Sequence, residues 1–204
     1  VPRSVRTSAT VRRLSAVVLA LSAIAACSTL PWRPDSMATA PVIDGFGVGG
    51  MQPSQANEAA RRLFAQGMAQ VYAFNEVEAI RSFKAALAQD PDCALCAWGV
   101  AYQMGPNIND TDRHDLREAL RYVDYAAQHS AGSSEHDRAL IDALAVRYGT
   151  DRGARASAAI QADICGAVGA KRADPLDIVY AERMRQLVAR FPGDPDILSI
   201  YAEA

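Results

Sequence analysis

Apolar residues recur every three or four positions along most of the chain after residue 54, which is the spacing of amphipathic helices. The first stripe includes Leu63, Met68 and Tyr72, and similar stripes follow to the end of the sequence. No stretch alternates apolar and polar residues as a half-buried strand does, so the sequence predicts an all-α fold. We predict eight helices, at residues 54–72, 75–90, 93–104, 112–128, 133–148, 155–168, 174–191 and 194–204.

Polar residues that can cap a helix stand at several of these starts. A side-chain oxygen at this position accepts a hydrogen bond from a main-chain N–H group that the helix leaves free. Two of the caps are followed by proline, which is favoured at the first helical position. The predicted caps are Ser54, Asn75 with Glu78 in a capping box, Ser133 or Ser134, Asp174 before Pro175, and Asp194 before Pro195.

The composition is that of a folded protein. Of the 204 residues, 50% are hydrophobic and 22% are charged, which excludes a disordered chain. The first 27 residues contain four arginines and no acidic residue, and removing those four from the 21 basic residues leaves 17 against 23 acidic ones. A body with this negative balance is poorly suited to the phosphate backbone of nucleic acids, so we expect no nucleic-acid partner.

The N-terminal 26 residues differ from the rest of the chain. Arginines precede an apolar run at 14–26, which has the charge and length of a signal peptide and is shorter than the roughly 20 residues of a membrane span. Ile24-Ala25-Ala26-Cys27 resembles the lipobox of bacterial lipoproteins. The resemblance implies cleavage before Cys27, lipidation of its side chain and a membrane anchor. The alternatives are an ordinary secretory signal or an uncleaved anchor.

If the host is Gram-negative, Ser28 after the cysteine resembles the signal for transfer to the outer membrane, which implies a site on its periplasmic face. Residues 27–53 are rich in proline and glycine and lack helical periodicity, so they are expected to form a flexible linker. The domain prediction is therefore a signal peptide at 1–26, a lipidated linker at 27–53 and a helical body at 54–204.

The helical body contains spacings that resemble the tetratricopeptide repeat, a 34-residue unit of two antiparallel helices. The resemblance to this repeat implies a right-handed α-solenoid. It also implies close contacts of Gly67 with Ala79 and of Gly99 with Ala119. The first unit departs from the family pattern at Gln66, where a large apolar residue is usual. The matching positions are Ala79, Phe83, Ala86 and Pro91 for a second helix, and Leu95, Trp98, Gly99 and Tyr102 for a first helix.

The sequence is also similar to a group of exported bacterial repeat proteins that mostly lack an assigned activity. Members usually contain more repeats, and Tyr201-Ala202-Glu203-Ala204 stops inside a predicted helix, so we expect the chain to be truncated at its C-terminus. The shared segments include Tyr72-Ala73-Phe74-Asn75, Cys93-Ala94-Leu95-Cys96 and Gly105-Pro106-Asn107-Ile108-Asn109.

The repeat resemblance implies a concave groove that binds a protein or peptide partner. We expect no enzyme activity and no cofactor for such a protein. The implied groove residues are Arg61, Phe64, Met68, Val71 and Tyr72 in the first unit, and Cys93, Cys96, Val100, Gln103 and Met104 in the second.

The closely spaced Cys93 and Cys96 permit a disulfide, a redox pair or a metal site. Haem attachment would need histidine directly after the second cysteine, where the chain has Ala97. The histidines needed to complete a zinc site are scattered, and the Asn- and Asp-rich loop at 105–112 lacks the turn glycine and closing glutamate of a calcium loop. We expect a structural disulfide or packed thiols, and no metal.

The sequence thus predicts a lipid-anchored helical-repeat scaffold of the cell envelope that binds proteins or peptides. One alternative is a redox or metal-binding envelope protein that uses Cys93 and Cys96. The other is an accessory domain of a larger protein.

Overall fold

A computed structural model describes residues 31–45, 50–106, 116–150 and 174–204. In these residues the regular structure is entirely helical, which confirms the predicted all-α class for this part of the chain. One 3-10 turn, Ser130–Gly132, follows the fourth helix. The seven α-helices are α1 (Glu58–Tyr72), α2 (Glu76–Gln89), α3 (Ala94–Met104), α4 (Arg117–His129), α5 (Glu135–Arg147), α6 (Pro175–Arg190) and α7 (Pro195–Glu203).

Several sequence predictions fall outside the described residues. These are the signal segment at 1–26, Cys27, the helix at 155–168 and most of the loop at 105–112. By their internal contacts, residues 34–204 form one unit.

The predicted caps at three helix starts are confirmed. Ser134, Asp174 and Asp194 each accept a hydrogen bond from a main-chain N–H in the first turn of α5, α6 and α7. The prediction for α1 is wrong, because Asn57 caps this helix and its Oδ1 accepts from Ala60 N at 2.9 Å. No side-chain cap forms at Asn75, and Glu78 instead pairs with Arg81 at 3.5 Å.

The helices pack in the order of the sequence. Each described helix contacts the next, and α3 also contacts both α1 and α5. Each helix can therefore bury its apolar face against a neighbouring helix. The largest fully buried side chains are Phe64, Phe83, Leu87, Leu95, Trp98, Leu140, Ile141, Leu144, Tyr180, Met184, Ile197 and Ile200.

Two glycines allow α1 and α3 to approach the same ring of α2. A Cβ at Gly67 would lie 2.5 Å from Phe83 Cε1, and a Cβ at Gly99 would lie 2.7 Å from Phe83 Cδ1. The Phe83 ring is fully buried and also packs against Phe64, with ring centroids 5.3 Å apart. Gly67 and Gly99 are therefore close-contact sites, but the nearest side chain at both is Phe83 and not the expected Ala79 or Ala119.

The segment before α1 is not a free coil throughout. Residues 39–43 hydrogen-bond to side chains of α1 and α2, and the side chains of Met51 and Pro53 are buried. Ser54 donates both its N–H and its O–H to the Asp137 carboxylate, at 2.9 and 2.7 Å. The expected flexible linker is therefore wrong for these residues, because they have fixed partners in the helical body.

The contact at Phe83 predicts the effect of a single methyl group. Gly99→Ala should lower the free energy of unfolding, because overpacking costs about 1–3 kcal/mol and exceeds the gain in helix propensity of about 1 kcal/mol. In a Phe83→Leu background the same substitution should cost clearly less, because the ring that it meets is gone. Urea unfolding of the wild type and the three variants measures this; strictly additive losses would contradict the contact.

Candidate functional site

The cysteine pair lies at the start of α3, where the structure joins Cys93 to Cys96 in a disulfide. Cys93 is the N-cap residue, and its Sγ accepts a hydrogen bond from Cys96 N at 3.2 Å. Both residues have no exposed surface. Thiol–disulfide exchange requires access for an attacking thiolate, so this burial supports a structural bond over a redox pair.

Most of the predicted groove residues do not line an open surface. Phe64 and Val100 are fully buried and Met68 is 4% exposed, because they pack in the interfaces between helices. This corrects the expectation that these three side chains face a partner. The remaining positions divide by exposure: Arg61 and Tyr72 are exposed, Val71, Gln103 and Met104 are half-buried, and Cys93 and Cys96 are buried.

The last helix lies against the helices that were expected to line the groove. Tyr72 OH of α1 hydrogen-bonds to Asp196 of α7. Tyr102 OH of α3 donates to Glu203 Oε2 at 3.3 Å. Helix α7 therefore contacts both of the helices assigned to the groove, through one hydrogen bond to each.

A buried arginine adds a third connection to α7. The Arg147 side chain, which is 5% exposed, contacts Asp177 of α6 at 3.3 Å and Glu203 of α7 at 3.4 Å. Its guanidinium also lies over the Tyr180 ring, 4.7 Å from the centroid. Burial alone would lower the pKa of Arg147, but Tyr180 and the two carboxylates raise it, so the group stays charged. This cluster holds α5, α6 and α7 together.

Serine, histidine and aspartate side chains meet beside the start of α5, although the arrangement is not that of a nucleophile. The hydroxyls of Ser54 and Ser134 both donate to the Asp137 carboxylate, at 2.7 and 3.0 Å. Because each hydroxyl proton points to a carboxylate, the His136 imidazole receives neither of them. The histidine instead contacts Asp137 at 3.5 Å and Asp194 at 3.1 Å.

This group of side chains acts as a clasp between three parts of the chain: the segment before α1, the start of α5 and the α6–α7 loop. The hydrogen bond with Asp137 raises the pKa of His136, with burial opposing the change and Asp194 adding to it. For Asp137, burial favours a higher pKa, but hydrogen bonds from His136, Ser54 and Ser134 outweigh it and lower the pKa. The clasp therefore favours a charged pair.

The turn after α1 has a phenylalanine where helix ends favour glycine. Phe74 has a φ of 56°, in the left-handed region. Its N–H donates to Val71 O at 3.0 Å, and Asn75 N–H donates to Gln70 O at 2.9 Å, the two bonds of a Schellman motif. This conformation costs a residue with a Cβ about 1–2 kcal/mol.

The end of α5 provides an internal comparison. It has the same two bonds, from Gly149 N–H to Val146 O at 2.9 Å and from Thr150 N–H to Ala145 O at 3.0 Å. Here the left-handed residue is glycine, with a φ of 66°. The motif alone therefore does not require an aromatic side chain at Phe74.

The aromatic side chain at this turn faces solvent. Phe74 is 77% exposed, Val77 74% and Tyr72 47%, and we call these three residues the turn patch. Grouped apolar side chains on a surface often mark a protein interaction site. Of these three residues, only Tyr72 could be predicted from the sequence as a binding residue, because the exposure of the other two depends on how the turn folds.

Comparison with family models, curated proteins and solved structures gives no match to this chain. Within the described ranges, no group of three or more His, Cys, Asp or Glu side chains is placed to hold a metal ion. Of the helices described, none combines the length and the apolar character needed to cross a membrane.

The clasp predicts a pH-dependent contribution to stability. Because the pKa of His136 is raised on folding, its stabilising effect is present below its unfolded value of 6.5 and is lost as the pH rises through the folded pKa. His136→Asn should therefore lower the melting temperature more at about pH 5.5 than at about pH 8.5.

Differential scanning calorimetry at both pH values measures this difference. His129→Asn is the matched control, since the His129 ring contacts the Tyr125 carbonyl oxygen at 2.9 Å instead of a carboxylate. An equal loss at both pH values for His136→Asn would contradict the clasp.

Proposed function

We propose that this protein is a lipid-anchored helical-repeat scaffold of the bacterial cell envelope that binds another protein through the turn patch. Three kinds of observation support the proposal: the lipobox-like sequence ending in Cys27, the serial packing of the helices, and the exposed apolar residues at the α1–α2 turn. The exposed apolar residues carry the proposed binding function.

Phe74 combines two unfavourable features at one position. Its left-handed backbone costs free energy, and its side chain gains little from packing because it is 77% exposed. Such strain together with an exposed aromatic side chain is typical of a site where function outweighs stability. Aromatic side chains are enriched where proteins bind one another, because they bury a large area with few rotatable bonds.

The packing order supports a solenoid of antiparallel helix pairs. Contacts of α3 with both α1 and α5 are those expected when the first helices of successive repeats lie side by side. The close approach of Gly67 and Gly99 to Phe83 fits the small residues of the tetratricopeptide pattern. The absence of a matching family model leaves this repeat assignment as part of the proposal.

Because α7 contacts α1 and α3, we place the proposed binding surface at the turn patch and not in the expected groove. Tyr72 is the member of the predicted groove set that also belongs to the turn patch, and its ring is 47% exposed although its hydroxyl bonds to Asp196. A scaffold that binds through an end of the array leaves the contacts of α7 intact. It also requires no rearrangement of the buried Arg147 cluster.

Replacing the turn patch should separate binding from stability. The double variant Phe74→Asn/Val77→Ser removes the exposed apolar surface, while asparagine tolerates the left-handed conformation better than phenylalanine. We expect the melting temperature to be kept or raised, and recovery of cross-linked protein partners from intact envelopes to fall by about ten-fold.

The control for this experiment is Leu198→Ser, because Leu198 is a 43% exposed apolar residue far along the chain in α7. It should leave the set of cross-linked partners unchanged. Equal recovery from the double variant and the wild type would contradict binding at the turn patch.

The anchor has a separate test. In cells, Cys27→Ala should abolish lipid labelling and move the protein from the membrane fraction to the soluble fraction, because a lipobox without cysteine cannot be acylated. Metabolic labelling with a fatty-acid analogue and fractionation measure both effects. Unchanged labelling would contradict lipidation at this residue.

A further inference from the structure

The segment before α1 presents its main chain to the α1–α2 pair at alternate residues. Arg81 Nε donates to Thr39 O at 3.2 Å, and Gln66 Nε2 donates to Pro41 O at 3.0 Å. Ile43 N–H then donates to Gln66 Oε1 at 2.8 Å. In an extended chain, alternate residues point to the same side, so one edge of residues 39–43 faces the helices.

Gln66 is built into the helix pair so that its amide faces this edge. The residue is 3% exposed, and Nε2 also donates to Ser82 Oγ at 3.1 Å. Both N–H donors and the carbonyl of the amide are therefore in use, and the segment supplies two of the three partners. A buried amide without partners is costly, which makes the docked segment part of the reason that Gln66 is tolerated here.

The side chains of the segment contribute little to this contact. Val42 is 51% exposed and Ile43 is 41% exposed, whereas the hydrogen bonds involve only main-chain atoms of residues 39, 41 and 43. Contacts of this kind select an extended backbone and tolerate many sequences. The presence of Pro41 is compatible, because the site uses its carbonyl oxygen and no N–H from that residue.

We propose that Gln66 and Arg81 form a main-chain binding site for an extended peptide segment, that residues 39–43 occupy it in the resting protein, and that an extended segment of another protein replaces them. This site is separate from the turn patch. Its ligand class is an extended, proline-tolerant peptide recognised through two carbonyl oxygens and one N–H.

The test uses the full chain with its own segment weakened. Ile43→Pro removes the main-chain N–H that donates a hydrogen bond to Gln66 Oε1. It also keeps the preceding residue extended. The probe is a fluorescent peptide with the sequence of residues 36–44, Ser-Met-Ala-Thr-Ala-Pro-Val-Ile-Asp. Anisotropy should show that Ile43→Pro binds this peptide about ten-fold more tightly than the wild type, because the competing segment is weakened.

Adding Gln66→Leu to the Ile43→Pro chain should abolish binding, since leucine offers no hydrogen bond. Gln89→Leu is the matched control, because Gln89 is an exposed glutamine of α2, and it should leave binding unchanged. If Gln66→Leu does not fold, Arg81→Ala provides the test, because the Arg81 side chain is 50% exposed and its removal should leave the fold intact. In the Ile43→Pro chain, Arg81→Ala should weaken peptide binding about five-fold.

Peptide binding that is no tighter for Ile43→Pro than for the wild type would overturn the proposal. Equal binding by the Gln66→Leu and parent chains would also overturn it. Neither result bears on the turn patch, whose residues are unchanged in all of these variants.

Discussion

The fold depends on the contact of two glycines with the ring of Phe83. Helix α2 can place a phenylalanine between α1 and α3 only because Gly67 and Gly99 have no side chains where the ring lies. The close approach brings α1 and α3 into direct contact, and α3 in turn contacts α5. Since protein interiors are packed to near-crystalline density, a methyl group at either glycine would have to move a fully buried ring.

The contacts of α7 are the reason that we place the proposed binding surface at the turn patch. Helix α7 contacts Tyr72, Tyr102 and Arg147, so part of the face that was expected to line a groove carries contacts of the chain with itself. Breaking them would leave Arg147 buried with fewer partners, which is strongly unfavourable. The Arg147 cluster includes neither Phe74 and Val77 of the turn patch nor Gln66, so the proposed partners would leave this cluster intact.

Local features could be predicted from the sequence, and long-range ones could not. Ser134, Asp174 and Asp194 cap their helices through bonds to residues two or three positions away, so the sequence could indicate these caps, although it left Ser133 and Ser134 as alternatives. In the sequence Ser54 is an equally good candidate for a cap, but in the structure its hydroxyl donates to Asp137, 83 positions away. The burial of Phe64 and Val100 depends on which helices pack over them. Gln66 was recognisable as a departure from the repeat pattern, whereas two of its three partners lie in a proline- and glycine-rich stretch without periodicity.

Hydrogen exchange along α7 in the full chain measures whether this helix stays packed against α1 and α3. If it does, the amides of Ile200 and Tyr201 should exchange as slowly as those of α3 and open only together with them. Exchange of these amides at the rate of an unfolded peptide, with α3 still protected, would contradict this packing, because α7 would then be detached from the helices that it contacts.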